Sequence, residues 1–429
     1  MQKEIEVDLS RIKKVFFIGI GGIGISALAK MAISRGIEVS GINDDESPKT
    51  LEPLRQAGAV IFYQNDFKEL PEADVYVYSD AWFYRGPEII EKAKKTGKPT
   101  LSYFEALGQF AKEYKVIAIA GTHGKTTTTA MIAEILTDTG LDPTVIVGSF
   151  VKKFDPRQGG AGSNFRHGNS KYLVVEADEY NRHFLNFHPF ITLVTNIEAD
   201  HLDCYKDLAD IQNAFNKLLS QSENKITDYI KYLEKVPKLS VPGEHNRMNA
   251  AAALAVAETL GIKEGDAQKS LLEFSGTWRR LEKIGQTKEG TIIYDDYAHH
   301  PTEIKASLEA LRELYPVGIK KIMVLFQPHL YSRTKALFND FAKSFKDADN
   351  TYLLPIFFAR EAKDESISSE KLAQAINLAG DKAKAFPDFK SAEAFIRDLN
   401  LGENDVFVTM GAGEAYKVAD KVFLIVHRD

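Results

Sequence analysis

Cysteine is almost absent from this chain, which has one, Cys204, among 429 residues. One cysteine excludes a disulfide within the chain and suits a reducing compartment, so we expect a cytoplasmic protein. Long hydrophobic runs are also absent. The most apolar stretch, residues 15–29, contains four glycines and is too short to cross a bilayer, and the start of the chain has no apolar core of the kind that a signal peptide requires. The sequence therefore predicts neither export nor a membrane partner.

An excess of positive charge is missing as well. The chain has 54 Lys and Arg against 60 Asp and Glu, which gives a net charge of −6. Such a balance gives no support to nucleic acid or an anionic membrane as a partner. Any phosphate site must therefore depend on local loops and on single cations.

The order of apolar stretches predicts an α/β fold. Apolar strands alternate with helical stretches, which is typical of parallel sheets covered by helices. The predicted strands occupy residues 15–20, 37–42, 73–80, 115–120, 172–179, 191–201, 291–301, 321–329, 350–357 and 405–414. We expect three domains: a Rossmann-like domain over 1–111, a P-loop ATPase-like domain over 112–275 and a second Rossmann-like domain over 276–429.

A phosphate-binding loop is the strongest single motif. Gly121-Thr122-His123-Gly124-Lys125-Thr126 follows a buried strand and opens a helix. Glycines let a backbone wrap a phosphate, and a helix start offers unpaired N–H groups. Lys125 would contact the β and γ phosphates, and the Thr126 hydroxyl would bind Mg²⁺. The spacing departs from the standard P-loop pattern, which has glycine where this chain has Ile119. A glycine-rich strand–helix turn without a ligand is the alternative.

Two further residues follow neighbouring predicted strands. Glu176 and His201 stand at strand ends, and parallel strands bring these ends to one edge of a sheet. We therefore expect Thr126, Glu176 and His201 to hold metal. A histidine ligand is unusual for Mg²⁺, so two cation sites are expected. For Asp178, Glu179 and Asp200, exposure to solvent and a place in a polar network are equal alternatives.

The ordered motifs resemble those of the Mur ligase family over nearly the whole chain. GIGGIGIS (19–26), GTHGKTTT (121–128), EADE (176–179) and TNIEADHLD (195–203) look like landmarks of its first two domains. GEHNRMN (243–249), RR (279–280), YDDYAHHPTEI (294–304), FQPHLYSRT (326–334) and TMGAGE (409–414) look like the remaining landmarks. This resemblance implies an ATP-dependent ligase that activates a carboxylate as an acyl phosphate and then joins it to an amine.

Within the family, GIGGIGIS, EADE, DDYAHHP and FQPH together look most like the members that add L-alanine to UDP-N-acetylmuramate. ATP, Mg²⁺ and these two substrates are therefore the expected ligands of a monomer or homodimer. Members that attach a recycled tripeptide to the same nucleotide sugar share the first three motifs. A non-catalytic nucleotide-binding homologue is a further alternative, because residues 204–243 are shorter than the corresponding stretch usual in the family.

The resemblance also implies a role for each landmark. The residues expected to bind ATP are Gly121, Thr122, His123, Gly124, Lys125, Thr126, Thr127, His245, Asn246, Asn249, Arg279 and Asp296. Those expected to bind the UDP-sugar are Gly19, Gly21, Gly22, Gly24, Ser26, Ser79, Asp80, Ala81 and Asn164. His299, His329 and Arg333 would bind the amino acid, and Lys125, Glu176, His201 and Arg280 would serve catalysis, with Arg280 acting on the γ-phosphate.

Two positions depart from the pattern. Leu330 replaces the arginine usual after FQPH, and Asn43 stands where an aspartate is common. The glycines at 19–24 also fit a dinucleotide-binding turn, with Asp44 or Asp45 on a ribose, so a dehydrogenase is a further alternative. For Arg333 a surface salt bridge is an equal alternative, and for His299 and His300 a tight structural loop.

Overall fold

The computed structural model describes residues 7–44, 49–155, 162–200, 204–358, 361–423 and 425–426. These residues form three β-sheets with helices packed against them, which confirms the predicted α/β class. The chain divides into two compact units. The first unit is Met1–Leu239 with Met248–Phe274, and the second is Ser240–Arg247 with Ser275–Asp429.

The first sheet belongs to the N-terminal part of the first unit. Its elements in chain order are β1 (Lys14–Ile18), α1 (Ile23–Ser34), β2 (Glu38–Asn43), α2 (Leu51–Gln56), β3 (Val60–Tyr63), β4 (Val75–Tyr78), α3 (Trp82–Arg85), α4 (Pro87–Lys95), β5 (Thr100–Ser102) and α5 (Tyr103–Ala111). The strand order is β3–β2–β1–β4–β5, and every pair is parallel. This is the arrangement expected of a Rossmann-like domain.

The chain leaves β1 earlier than the sequence predicts. The predicted strand runs to residue 20, but β1 ends at Ile18 because Gly19 takes a φ of 85° that a side chain would strain. The turn places Gly22 at the start of α1, which buries Ile25, Leu28 and Ala32. The glycine turn and the helix start therefore lie at the carboxyl edge of the sheet.

The second sheet belongs to the rest of the first unit. Its elements are β6 (Lys115–Ala120), α6 (Lys125–Asp138), β7 (Thr144–Val151), β8 (Ser163–Arg166), β9 (Tyr172–Glu176), β10 (Ile191–Val194), α7 (Leu208–Ser220), β11 (Asn224–Ile226), α8 (Glu244–Thr259) and α9 (Glu264–Glu273). The strand order is β11–β10–β6–β9–β7–β8, with only β7–β8 antiparallel among the described strands of this sheet. Of the described helices that accompany this sheet, only the first turn of α8, up to Arg247, is assigned to the second unit. Gly261, with a φ of 75°, follows α8, as the sequence predicts.

The third sheet forms the core of the second unit. Its elements are β12 (Glu282–Thr287), β13 (Ile292–Asp296), α10 (Pro301–Leu314), β14 (Lys321–Phe326), α11 (Tyr331–Ala336), α12 (Phe338–Ala342), β15 (Asn350–Leu353), α13 (Ser369–Leu378), β16 (Ala383–Ala385), α14 (Phe389–Arg397), β17 (Asp405–Met410), α15 (Tyr416–Val422) and β18 (Ile425–Val426). The order is β16–β15–β14–β17–β13–β12–β18, and β12 pairs antiparallel with both neighbours.

Apolar side chains cover both faces of the third sheet. Val324 and Val408 belong to one buried cluster, whereas the adjacent Leu325 and Phe407 belong to another. A central strand buried on both sides explains why these stretches are continuously apolar in sequence. Short 3₁₀ segments complete the described elements: Leu9–Arg11, Gln64–Asp66, Lys152–Phe154, Tyr180–Asn186 and Ile230–Lys235. Within the described ranges, no helix has both the length and the apolar character needed to cross a membrane.

Candidate active site

The phosphate loop lies between β6 and α6, as the sequence predicts. Gly121 and Gly124 have φ values of 137° and 84°, which favour glycine. The Asn196 side chain accepts from the His123 N–H at 2.9 Å, and Thr195 Oγ1 donates to the His123 carbonyl at 2.6 Å. The loop conformation is therefore held by the residues that follow β10.

Lys125 is held by a residue that the sequence left open. Its ammonium donates to both carboxylate oxygens of Glu179, at 3.0 and 2.7 Å, and to the Gly121 carbonyl at 2.5 Å. Burial alone would lower the pKa of Lys125, but the charges of Glu179, Asp178 and Glu176 outweigh it and raise that pKa. Lys125 is therefore a cation at neutral pH, fixed at the loop where a phosphate would need it.

Thr126 and Glu176 meet at the first turn of α6. Thr126 Oγ1 donates to Glu176 Oε2 at 3.2 Å, and the Gly148 N–H donates to Glu176 Oε1 at 2.6 Å. A hydroxyl and a carboxylate are the oxygen donors that Mg²⁺ prefers, so the chemistry of this pair fits the predicted metal site.

The predicted position of His201 needs a correction. Glu176 is the last residue of β9, as expected, but β10 ends at Val194 rather than at residue 201. His201 itself lies outside the described residues. The polar TNIE run at 195–198 explains the early end, because Thr195, Asn196 and the Glu198 N–H bond the phosphate loop instead of a neighbouring strand.

The remaining loop residues are held within the first unit. Thr122 Oγ1 accepts from the Glu198 N–H at 2.9 Å, and Thr127 is buried in the first turn of α6. Asn249, on α8, approaches Gly124 so closely that a Cβ there would lie 2.4 Å from Asn249 Oδ1. The structure therefore brings Asn249 to the phosphate loop.

The glycine turn after β1 is braced by the residue that departs from the family pattern. Asn43 is buried, and its Oδ1 accepts from the Gly21 N–H at 3.1 Å. Trp82, which the sequence did not single out, packs its indole against Gly19, where a Cβ would come within 2.4 Å. Asp44 pairs with Arg85 at 2.6 Å, and Asp45 lies outside the described residues. The side chains proposed for a ribose contact in a dehydrogenase thus gain no support.

Several predicted UDP-sugar residues surround this turn. Gly22 begins α1, and a Cβ at Gly24 would lie 2.9 Å from the Tyr103 hydroxyl. Ser79 follows β4, with its Cβ close to Gly19, and Ala81 begins α3. Asp80 lies between them.

Ser26 and Asn164 are both fully buried and bonded to each other. Asn164 Nδ2 donates to Ser26 Oγ at 2.9 Å, and Asn164 Oδ1 accepts from Lys30 at 2.8 Å. In this arrangement they tie β8 to α1, and a contact of either residue with the UDP-sugar stays a prediction.

In the second unit, Arg279 is enclosed by its own domain. Its guanidinium donates to Asp295 Oδ2 at 2.7 Å, to the Gly411 carbonyl at 2.7 Å and to the Gly413 carbonyl at 3.3 Å. Arg279 is buried, so it holds the carboxyl end of β17 against β13. This use of the side chain departs from the predicted contact with ATP.

Asp296 is a buried carboxyl group whose pKa is influenced by the positive charge of Arg280. Burial raises its pKa to about 6, although the Ser307 hydroxyl, at 2.5 Å, and the Ala298 N–H, at 2.9 Å, lower it in part together with Arg280. Arg280 lies over the Tyr297 ring at 5.2 Å. A contact of Arg280 with the γ-phosphate stays a prediction.

The predicted amino-acid residues are partly brought together. The rings of His299 and His329 are 6.0 Å apart, and His329 stacks on Phe357 at 5.5 Å. Arg333 lies on α11. This helix begins directly after Leu330, whose φ of 71° is unusual for a residue other than glycine. Binding of the amino acid by Arg333 stays a prediction.

His300 is the N-cap residue of α10. Its Nδ1 accepts from the Thr302 N–H at 3.3 Å, and Glu303 completes a capping box at the start of α10.

His245 and Asn246 stand in the first turn of α8. Burial lowers the pKa of His245, and Asn246 donates to the Pro242 carbonyl at 2.7 Å. These contacts are those of a helix start, and contact with adenine and ribose stays a prediction for both.

Family models match the chain in three consecutive parts. The Mur ligase family catalytic domain matches residues 14–115, the Mur ligase middle domain 119–232 and the Mur ligase glutamate ligase domain 279–413. Each match covers most of one of the three sheets, which confirms the predicted three-domain architecture, while the exact boundaries at 112 and 276 stay predictions.

Similar proteins span almost the same length. UDP-N-acetylmuramate–L-alanine ligase of Clostridium kluyveri is 38% identical over 96% of this chain and 98% of its own. That of Caldanaerobacter subterraneus subsp. tengcongensis is 37% identical over 97% and 98%. These alignments extend over 463 and 467 positions, more than this chain has, so both relatives contain residues that this chain lacks.

Solved structures show the same fold. UDP-N-acetylmuramate–alanine ligase of Thermotoga maritima has a TM-score of 0.79 at 27% identity, with 96% of this chain and 98% of that one covered. A murein peptide ligase of Psychrobacter arcticus has a TM-score of 0.66 over the same shares at 22% identity, and shares the fold alone. On the evidence of its sheets, its phosphate loop and these matches, the chain belongs to the Mur ligase family.

Proposed function

We propose that this protein uses ATP to join L-alanine to the carboxylate of UDP-N-acetylmuramate, a step in the synthesis of peptidoglycan precursors. The observation that carries the proposal is the phosphate loop with its charged Lys125 and the Thr126–Glu176 pair at the same helix start. The alanine-adding relatives, at 37–38% identity over nearly full length, supply the substrates. A cytoplasmic location, where ATP is available, goes with this proposal.

The first step activates the carboxylate. A carboxylate oxygen of the sugar attacks the γ-phosphorus of ATP, the bond to the bridging oxygen breaks, and ADP leaves with that electron pair. The products are an acyl phosphate and ADP. Phosphoryl transfer requires alignment and charge neutralisation more than covalent help. Lys125 supplies positive charge from the loop, and the loop N–H groups with the start of α6 favour the phosphate oxygens.

The second step forms the amide. The neutral amine of L-alanine attacks the acyl carbon, the tetrahedral adduct loses a proton from nitrogen, and inorganic phosphate leaves. Thr126 and Glu176 would hold Mg²⁺, which supplies charge neutralisation at the phosphates when bound. The proposal gives Arg280 a contact with the transferred phosphate, and His299 and His329 a place near the amino acid.

A phosphate-release assay tests the proposal. Purified protein is supplied with ATP, Mg²⁺ and UDP-N-acetylmuramate, together with L-alanine, L-serine, glycine or the murein tripeptide in separate reactions. We expect release that depends on the sugar and is fastest with L-alanine. Release with the tripeptide alone would instead identify a murein-peptide ligase, and no release in any reaction would favour a non-catalytic homologue.

A further inference from the structure

We infer that His183 is a positioning residue for the nucleotide sugar, because it holds Asp80, in the loop after β4, from the segment that also supplies Glu179 to the phosphate loop. This inference rests on the proposed function and adds a residue that neither sequence motifs nor resemblance indicated. It concerns described residues of the first unit only.

The central contact is short and polar. His183 Nε2 lies 3.0 Å from Asp80 Oδ2, which is hydrogen-bond distance. Asp80 belongs to the Ser79–Ala81 loop, whose first residue approaches the glycine turn at Gly19. The Asp80 side chain remains 34% exposed, so it can contact a ligand while His183 holds one of its oxygens.

Packing leaves the imidazole of His183 little freedom. It stacks on Phe104 of α5 with centroids 4.0 Å apart and planes at 18°, and the Tyr180 ring meets its edge at 6.0 Å. His183 is 8% exposed. Its carbonyl accepts from Asn186 Nδ2 at 2.8 Å, which fixes the backbone as well as the ring.

The surrounding backbone has features that serve this placement. Asn181 and Arg182 have φ values of 49° and 59°, a conformation that side chains rarely adopt. Arg182 is held there by both carboxylate oxygens of Asp210 at 2.7 Å. Gly108 of α5 allows the close approach of the helix to this segment, since a Cβ there would lie 2.8 Å from the Asn186 carbonyl oxygen.

Stability alone does not account for the histidine. Its other ring nitrogen, Nδ1, is buried and has no hydrogen-bond partner among the described residues. A buried polar atom without a partner costs free energy that an apolar ring stacked on Phe104 would avoid. The bond to Asp80 is the favourable contact that a histidine provides here and an apolar ring does not.

The segment connects two sites along a short stretch of chain. Glu179, which binds Lys125, precedes His183 by four residues, and its carbonyl accepts from the Tyr205 hydroxyl at 2.5 Å. Glu179, at one end of this stretch, therefore fixes the position of the Lys125 ammonium group, and His183, at the other end, fixes the position of the Asp80 carboxylate. The two substrates that react in the first step would be held in register through this stretch.

The test uses variants that keep the packing. His183→Phe retains an aromatic ring on Phe104 and loses the bond, and Asp80→Asn retains shape and loses the charge. His183→Gln keeps a donor near the position of Nε2. His188→Phe, at an exposed histidine five residues further on, is the matched control. For each variant we would measure KM for ATP, L-alanine and UDP-N-acetylmuramate, the affinities for UDP and UDP-N-acetylmuramate by calorimetry, and Tm.

We expect His183→Phe and Asp80→Asn each to raise KM for the nucleotide sugar about tenfold, as for loss of one charge-assisted bond, with Tm and KM for ATP nearly unchanged. The double variant should also lose about tenfold rather than a hundredfold, because both changes remove the same contact. His183→Gln should recover most of the loss.

Independent, multiplying losses in the double variant would overturn the inference, as would equal changes in all three KM values with a lower Tm. If the wild type binds UDP but releases no phosphate with any amine, the proposed function fails, and UDP affinity across the same variants still decides on His183. A wild type that binds neither UDP nor the nucleotide sugar overturns both.

Discussion

The ammonium group of Lys125 bonds protein atoms in this structure and is also the group proposed to contact phosphate. It donates to Glu179 and to loop carbonyls, and a phosphate that needs the same ammonium has to displace part of this network. Glu179 is buried, and its carboxylate would be destabilising there without a cationic partner, so Lys125 also compensates this buried charge. Lys125 is thus held at the loop before any reaction.

Replacing Lys125 tests the phosphate loop directly. We expect Lys125→Ala to reduce kcat at least about 1000-fold, because charge neutralisation at the transferred phosphate is lost. Steady-state phosphate release measures this. Lys269→Ala, an exposed lysine on α9, is the control and should retain wild-type turnover. A Lys125→Ala variant with near-normal kcat would show that another cation serves the phosphates.

The buried Glu134 is expected to make the free energy of unfolding of the protein depend on pH. Burial raises its pKa from 4.5 to about 7, even though Lys153 lies 3.6 Å away and lowers it in part. The folded state therefore favours the protonated form, and the stability that Glu134 contributes below pH 4.5 is lost as the pH rises through about 7.

We expect Glu134→Gln, which mimics the protonated group, to match the wild type at pH 4.5–5 and to exceed it by about 1–3 kcal/mol at pH 8. Urea unfolding at the two pH values measures the difference. The exposed Glu223→Gln variant is the control and should show no such trend. A Glu134→Gln effect of equal size at both pH values would mean that burial does not perturb this carboxyl.

At the scale of elements, the start of α6 depends on close approach as well as on backbone conformation. Gly124 and Gly140 have nearly equal φ values, 84° and 80°, but only Gly124 has Asn249 against it, whereas nothing lies near Gly140. Alanine at either position meets the same left-handed strain of roughly 1–2 kcal/mol.

This pair separates strain from contact. We expect Gly124→Ala to lower kcat/KM for ATP about 10- to 100-fold, because its Cβ displaces Asn249 and the loop, and Gly140→Ala to lower stability alone. Kinetics with varied ATP and a thermal unfolding curve for each variant distinguish the two effects. Equal kinetic losses in both variants would argue that backbone strain, not the Asn249 contact, controls the loop.

At the scale of the whole molecule, the residues predicted to bind ATP or to act on its γ-phosphate belong to both compact units. Lys125 and Asn249 are in the first unit, and Arg280 and Asp296 are in the second. We expect an ATP analogue with UDP-N-acetylmuramate to change the radius of gyration in small-angle scattering, since contacts divided between separate domains are commonly completed by rigid-body movement when substrates bind. UDP alone is the control, and an identical radius under all conditions would contradict the expectation.

The sequence by itself determined the class of fold, the phosphate loop and the family. Alternation of apolar strands with helices is a local property, and GTHGKT carries its chemistry within six adjacent residues. Glu176 could also be placed, since a residue that ends a parallel strand must lie at the carboxyl edge.

Only the tertiary structure decided which residues meet across the chain. The sequence left Glu179 open between a solvated acid and a network residue, and it is the partner of Lys125. Arg279 was predicted to contact ATP and is enclosed by its own domain, and His183 carried no sequence signal although it lies beside Asp80. Such contacts depend on how segments that are distant in sequence pack together. A charged group that becomes buried in this packing needs an oppositely charged partner, and the packing determines which one is near. No pattern within a single segment records that information.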